Sequence, residues 1–206
     1  ADFFCTIEEG MRGKRALEWN LVDDIVPRSK WQNAVAARAS KVAAASNRPA
    51  DAVGITFSPL ERTIEGDRIE YAHLACVIDR ELMAANIITR APDTAPPVEI
   101  AAIHSEGAAF WPLAIARELE DLILHLRFNE SEIGTWLIRT EGESEYVAVA
   151  DAALSAHSED WLVREITLYI KRTLKRLDLS ARSIFAFIEP GSCFTGTLLE
   201  LALAAD

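Results

Sequence analysis

The sequence has 206 residues, 50% of them hydrophobic, and a mean hydropathy of +0.08, so it can bury a sizeable core and is not of the disordered class. Its formal net charge of −11 argues against nucleic acid as a partner, because phosphate binding depends on clustered Lys and Arg. No apolar run reaches the roughly 20 residues that span a bilayer and no signal peptide is visible, so we expect a cytoplasmic protein without a membrane partner.

The first block, residues 1–46, has a helical pattern. Residues 13–19 predict a short helix. A second helix is predicted to begin at a capping box formed by Ser29 and Gln32 and to end near Ser46. The apolar and small residues of this second helix recur on one face, namely Trp31, Ala34, Val35, Ala39, Val42 and Ala43.

The remainder divides into a connector and an alternating region. Residues 47–70 contain Pro and Gly among polar residues and predict a connector, with one short strand at 52–57. From residue 71 onward, strands alternate with helices, which predicts an α/β fold. The predicted strands are 71–79, 98–103, 134–140 and 184–188, the predicted helices are 111–128, 161–177 and 198–205, and a proline-rich loop covers 91–97.

The cysteines predict no cross-links. Cys5, Cys76 and Cys193 are widely separated, and none belongs to a Cys-x-x-Cys pair. An odd number of cysteines without metal-ligand spacing predicts buried, reduced thiols and no metal site.

The segment 183–206 has the pattern of a functional site. A short apolar strand stops at Pro190-Gly191, and Gly196-Thr197 then leads into a helix whose free amides would point toward the strand end. Strand, turn and helix N-terminus together predict an anion or oxyanion site. A P-loop does not fit, because Thr197 stands where that motif requires a lysine.

The same segment resembles the crotonase, or enoyl-CoA hydratase/isomerase, superfamily, whose units carry a strand, a glycine-rich turn and a helix with a Leu-Ala-rich end like residues 200–206. Residues 10–27 resemble the closing part of such a unit. The resemblance implies a crotonase-like spiral of strand-strand-helix turns. In this arrangement 1–46 is the tail of an upstream unit, 47–70 a connector and 71–206 part of a second, degenerate unit. The sequence begins without Met, inside a predicted helix, and we expect a portion of a longer protein.

Residues 3–16 and 188–194 resemble, more narrowly, the ring-opening lyases of this superfamily. This resemblance implies a parent enzyme that opens the ring of epoxidised benzoyl-CoA with water, releases formate and yields an unsaturated aldehyde acyl-CoA. It implies an acyl-CoA substrate, no metal or redox cofactor, and a homo-oligomer, with a dimer favoured. Two alternatives remain open: an enoyl-CoA hydratase or isomerase that uses Glu200, and a non-catalytic acyl-CoA-binding or assembly module.

Superfamily members hold the thioester carbonyl with two backbone amides and transfer protons with carboxylates. Carried over to this sequence, the turn at Gly196 and Thr197 would supply one amide and Ala148 the other. Glu200 would be the catalytic acid or base, and Glu189 a second carboxylate.

Two departures from the superfamily pattern point to a lost active site. Leu198 stands within what should be a glycine triplet, where its side chain would crowd an acyl group. Val149 replaces the glycine that permits close backbone approach in the stretch 146–151. These departures predict that the segment is mainly a scaffold and that the principal active site lies upstream.

Other candidates have simpler explanations. Cys193 would be a nucleophile only if the helix dipole lowered its pKa. The run 104–106 reads His-Ser-Glu, but adjacent residues cannot adopt the geometry of a hydrolase triad. A basic face on the 161–177 helix predicts a solvated surface, with a phosphate contact for coenzyme A as the alternative; it comprises Arg164, Lys171, Arg172, Lys175 and Arg176.

Overall fold

The computed structural model describes residue 6, residues 8–47, residue 51 and residues 53–206. The chain divides into two compact units, Ala1–Val53 and Gly54–Asp206. None of the described helices is long and apolar enough to cross a membrane. The helix predicted at the first residues and the thiol of Cys5 fall outside the described part.

Residues 8–47 of the first unit form two α-helices, α1 (Gly13–Glu18) and α2 (Trp31–Ala44), which confirms both predictions. The predicted capping box is wrong. Ser29 lies inside a 3₁₀ turn, Arg28–Lys30, that runs directly into α2, and no side chain caps that helix. A capping hydroxyl needs an extended backbone at the N-cap position, which a 3₁₀ turn does not provide.

The described residues of the second unit form a six-stranded mixed sheet in the order β1 to β6. The pairs β1–β2, β2–β3 and β3–β4 are antiparallel, and the pairs β4–β5 and β5–β6 are parallel. The α/β class is therefore confirmed. The strands are β1 (Thr63–Glu65), β2 (Arg68–Glu70), β3 (Leu74–Asp79), β4 (Ala84–Arg90), β5 (Thr135–Glu141) and β6 (Ser183–Ala186).

Helices connect the parallel strands. Two helices, α3 and α4, lie between β4 and β5 in the chain, two more, α5 and α6, lie between β5 and β6, and α7 follows β6. Parallel neighbours require such crossovers, because a tight turn can join only antiparallel strands. The helices are α3 (Ile100–Glu106), α4 (Trp111–Phe128), α5 (Ser144–Ala156), α6 (Trp161–Asp178) and α7 (Gly196–Leu203).

Helix α4 lies at the centre of the second unit. The face predicted from its periodicity is fully buried and joins the sheet in one apolar cluster; it comprises Ile115, Leu119, Leu122, Ile123 and Leu126. On its other side, Leu113 and Ala116 belong to a second cluster shared with α3, α5 and α6. The described unit is thus layered, with the sheet against α4 and α7, and with α6 packed on the far side of α4.

Two predicted strands are wrong. Residues 100–103 begin α3, since a short apolar run such as 98–103 fits a helix as well as a strand. Residues 53–57 form no strand. There, Ile55 packs against the second apolar cluster and the Arg117 guanidinium lies 4.7 Å from the Phe57 ring centre, so side-chain contacts hold this segment without a backbone ladder.

Candidate functional site

The strand, turn and helix predicted at the end of the chain are present. Between β6 and α7, the Cys193 N–H donates to Thr140 Oγ1 on β5 over 2.8 Å, and the Glu189 N–H donates to Ser192 Oγ over 2.9 Å. Beyond α7, the Asp206 carboxylate accepts a hydrogen bond from the Ile184 N–H of β6 at 3.0 Å. These bonds hold the turn and both ends of α7 against the edge of the sheet.

The N-terminus of α7 already holds a carboxylate from its own chain. Asp151, on α5, accepts a hydrogen bond from the Thr197 N–H through Oδ2 and another from the Thr197 hydroxyl through Oδ1, both at 2.6 Å. Gly196 has a φ of +49°, and a side chain there would overlap the Asp151 carboxylate. Gly196 therefore allows Asp151 to approach, and the predicted anion site is occupied by Asp151.

Ala148 does not lie in an extended stretch. The segment 146–151 belongs to α5, and Ala148 is the fifth residue of that helix. Beyond the first four residues of an α-helix, each N–H bonds to the carbonyl four residues earlier, here that of Ser144. In this conformation the Ala148 N–H is used in a hydrogen bond within α5. It could bind an oxyanion only if the first turn of α5 unfolded.

Glu200 is exposed, one turn after Thr197 on α7. It borders a groove of about 470 Å³ that also contains Lys171 and Lys175, and a second groove of about 410 Å³ that contains Asp151. In the described part of the chain its carboxylate has no hydrogen-bonding or ionic partner. An acid or base that acts in catalysis is normally held in place by its neighbours, and here none of the described neighbours holds Glu200.

Glu189 is also exposed. Its carboxylate lies 3.5 Å from Nε of Arg139, and 55% of its side-chain surface is accessible. The Arg139 guanidinium itself lies over the Phe187 ring, 4.2 Å from the ring centre. An ion pair this exposed is screened by water and contributes little to stability.

Leu198, in the first turn of α7, faces the apolar interior. Its side chain is 2% exposed and lies in the main apolar cluster. The cavity beside it measures only about 20 Å³, which is room for about one water molecule. No acyl group fits there, in agreement with the crowding expected from a leucine at this position.

The described thiols are free and buried, as predicted for Cys76 and Cys193. Burial raises the pKa of Cys76 to about 12. Burial also raises the pKa of Cys193, and the hydrogen bond with Thr140 only partly offsets that effect. Cys193 is thus not an activated nucleophile. No group of three or more His, Cys, Asp or Glu within the described ranges is arranged to hold a metal ion.

Part of the predicted basic face is structural. Glu120 of α4, whose side chain is 12% exposed, pairs with Arg172 at 3.1 Å and Arg176 at 2.9 Å and accepts a hydrogen bond from the Tyr169 hydroxyl. Burial would raise the pKa of Glu120, but these three partners outweigh it and lower the pKa. These contacts join α4 to α6, whereas Lys171 and Lys175 remain exposed beside Glu200.

His104 pairs with the residue that caps α6. Its Nε2 lies 2.9 Å from Oδ2 of Asp160, whose Oδ1 accepts hydrogen bonds from the Leu162 and Val163 N–H groups. Burial would raise the pKa of Asp160, but the hydrogen bonds from His104 and from the two amides dominate and lower it. The His-Ser-Glu run is therefore part of a helix contact and not of a catalytic triad.

We expect Asp160→Ala to lower the free energy of unfolding by about 0.5–2 kcal/mol near neutral pH, as for other lost N-caps. Because the folded state lowers the pKa of Asp160, its stabilisation is present above the unfolded pKa of about 3.9 and is lost as the pH falls through the folded value. Urea unfolding of wild type and variant across acidic pH measures this gap. Asp160→Asn, which keeps a capping oxygen, should lose less. An equal gap at neutral and strongly acidic pH would contradict the assignment.

The chain is 46% identical, over all of its 206 residues, to benzoyl-CoA-dihydrodiol lyase of Aromatoleum evansii. The resemblance predicted from residues 3–16 and 188–194 is confirmed along the whole chain. The chain spans 37% of the length of that lyase. No protein-family model matches it.

Three features of the site were not predicted from the sequence. These are the contact of Asp151 with Thr197, the helical state of 146–151 and the pairing of His104 with Asp160. The first of these could have been noticed in the sequence. Asp151 ends the stretch 146–151 that was compared with an oxyanion loop, and Gly196 is the one glycine left in the turn before α7. The partners are 46 and 56 residues apart in the chain, so their pairing depends on the fold.

Proposed function

We propose that this chain is part of a benzoyl-CoA-dihydrodiol lyase and serves in it mainly as scaffold. The observation that carries the proposal is the 46% identity to the Aromatoleum evansii lyase along the entire chain. The parent enzyme would open the ring of epoxidised benzoyl-CoA with water and release formate, leaving an unsaturated aldehyde acyl-CoA. The reaction would need neither a metal nor a redox cofactor.

The geometry of the second unit supports a scaffold role. Asp151 fills the helix N-terminus that would hold a thioester oxygen, and Leu198 fills the space that would take an acyl group. The Ala148 amide is committed to α5, and the Glu200 carboxylate is not held by a described neighbour. Catalytic carboxylates and oxyanion amides would then lie in the upstream unit of the parent protein.

The finer architecture is part of the same proposal. The closing strand, turn and helix support a crotonase-like spiral. Residues 1–46 would be the tail of the upstream unit, 47–70 a connector whose strands β1 and β2 extend the neighbouring sheet, and 71–206 the second unit. The parent protein would work in the cytoplasm on a coenzyme A thioester, as a homo-oligomer with a dimer favoured.

A second candidate is a segment that binds or turns over acyl-CoA itself. The groove of about 470 Å³ beside Glu200, which is lined by Lys171 and Lys175 and also by apolar side chains, favours this candidate over an inert surface. If Glu200 were an acid or base, the chain would hydrate or isomerise enoyl-CoA. This candidate has a catalytic and a non-catalytic form, and an assay with crotonyl-CoA distinguishes them. Turnover of crotonyl-CoA supports the hydratase, whereas binding without turnover supports a non-catalytic module.

We expect Glu200→Gln in the intact lyase to keep turnover of epoxybenzoyl-CoA within about twofold of wild type, because removing a working general acid or base would cost about a hundredfold or more. The measurement is the steady-state rate of formate release, with folding checked by circular dichroism. Glu159→Gln, another exposed carboxylate of the second unit, is the matched control. A hundredfold loss in Glu200→Gln alone would identify Glu200 as catalytic and reject the scaffold role.

A further inference from the structure

The sheet of the second unit has its apolar cluster on one face only. Alternate side chains of β2 to β6 point to that face and join α4 and α7 in the main cluster; the central ones are Cys76, Ile87, Trp136 and Ile138. Among the described residues, no side chain on the opposite face of the sheet belongs to either apolar cluster. All-parallel sheets are covered on both faces, because their crossovers place helices there. The parallel part of this sheet, β4 to β6, therefore has one face that the described helices leave uncovered.

The uncovered face carries a strip of side chains in register across four strands. The strip consists of Val77 on β3, Asn86 on β4, Leu137 on β5 and Phe185 on β6, each paired with the next. Paired residues point to the same side of a sheet, so three apolar side chains and one amide form a continuous row. Val77 is 39% exposed and Phe185 is 45% exposed, although both lie in a sheet.

One cation lies beside the strip and is held in place. Arg139 follows Leu137 by two residues on β5 and so shares its face. Its guanidinium donates to Asn86 Oδ1 over 3.2 Å and lies over the Phe187 ring. Charged and polar residues surround the strip, namely Arg68, Glu70, Asp79 and Ser183. An apolar centre with aromatic and Arg side chains inside a polar rim is typical of a surface that becomes buried in a contact.

We propose that an amphipathic helix from the part of the lyase outside these 206 residues covers the strip. This inference rests on the proposed function, by which the chain belongs to a longer lyase. The chain spans 37% of the related lyase, so most of that protein's length is available to supply the helix. The helix places an apolar stripe on Leu137 and Phe185 and a carboxylate beside Arg139, whose present partner Glu189 is 3.5 Å away and exposed.

A helix fits the strip better than a second copy of the chain does. Four strands spaced about 4.8 Å apart make a strip about 14 Å wide, and a helix with its side chains is about 10–12 Å across. In a two-fold contact centred on the strip, the same patch of both copies meets, so two Arg139 guanidinium groups would approach each other. Like charges brought together in a contact oppose association.

The first test measures how fast cysteines in the strip react in the intact lyase. Val77→Cys and Phe185→Cys are made separately, and alkylation by N-ethylmaleimide is followed at each site by peptide mass spectrometry, in native buffer and in urea. We expect native rates at least about tenfold below the unfolded rates, because a covered side chain reacts only when the contact opens. The matched control is Leu168→Cys on α6, where Leu168 is 51% exposed. The proposal is overturned if the strip cysteines react as fast as the control.

The second test identifies what covers the strip. Phe185→p-benzoylphenylalanine in the intact lyase is irradiated in an equal mixture of unlabelled and nitrogen-15-labelled subunits, and the cross-linked peptides are sequenced. We expect a cross-link within one polypeptide, to a segment outside these 206 residues whose apolar residues recur at helical spacing.

Three results of the second test would overturn the proposal. A cross-link that joins a labelled to an unlabelled subunit would identify a second copy as the cover. A cross-link to a residue of this chain, or to a segment without helical spacing, would identify a different cover. The absence of any cross-link would mean that the strip is free. None of these readouts depends on turnover, whereas formate release tests the lyase function separately.

Discussion

Trp136→Ala should lower the free energy of unfolding of the second unit by about 3–5 kcal/mol, in the range found when a large core aromatic is truncated. Trp136 is fully buried in β5, between Ala85 of β4 and Ile184 of β6. The cavity would open at the centre of the sheet, where the flanking strands leave little room for collapse. Chemical unfolding followed by far-ultraviolet circular dichroism measures the change.

The conservative variant sharpens this test. The indole Nε1 of Trp136 is buried and has no hydrogen-bond partner within the described residues. Trp136→Phe removes that unsatisfied group along with a few carbon atoms, so its loss should be no more than about 1.5 kcal/mol. If Trp136→Ala cost under about 1 kcal/mol, or if both variants lost equally, the assignment of Trp136 to the centre of the core would be contradicted.

Gly142→Ala should cost about 2–4 kcal/mol, combining backbone strain with overpacking. Gly142 directly follows β5 and has a φ of +111°. A Cβ added to it would lie 2.8 Å from the Cβ of Ala91. Ala91 is held in place by its N–H bond to the Glu141 carbonyl at 2.8 Å. The substitution therefore disturbs the turn that leads into α5, the helix that carries Asp151.

The matched control is Gly134→Ala at the other end of β5. Gly134 has no atom within 4 Å of an added Cβ, and its φ lies outside the left-handed region. Alanine there should leave stability within about 1 kcal/mol of wild type, because it restricts the unfolded chain without straining the fold. Thermal and urea unfolding of both variants gives the comparison. Equal losses would mean that the conformation at Gly142 is not the cause.

Long periodic elements were predictable because their signal is local. The spacing of apolar residues defined α4 as 111–128, with its buried face, and the structure has the same bounds. The end of the chain was predicted for a similar reason, since Pro190-Gly191 and Gly196 mark the turn between strand and helix. The α6 helix was placed to within one residue by its amphipathic pattern.

The sequence analysis does not predict the elements whose secondary structure depends on pairing with neighbouring parts of the fold. The strand β4 reads Ala-Ala-Asn-Ile-Ile-Thr-Arg, with no clear alternation, and it is a strand because it lies between β3 and β5. The hairpin of β1 and β2 lies in the polar stretch 47–70, which has no apolar alternation to indicate strands. It forms because β2 pairs with β3 and so extends the sheet. Helix α5 was overlooked because residues 146–151 were compared with an extended loop.

The α/β class, the long helices α4 and α6 and the resemblance that the 46% identity confirms along the chain all follow from the amino-acid sequence alone. These features depend on local periodicity, turn residues and short motifs, all of which can be read in a few consecutive residues. The group that occupies the N-terminus of α7 is visible only in the folded chain. Hydrogen bonds and close approaches between Asp151, Gly196 and Thr197 depend on where α5 and α7 meet, and packing across the sheet determines that meeting point.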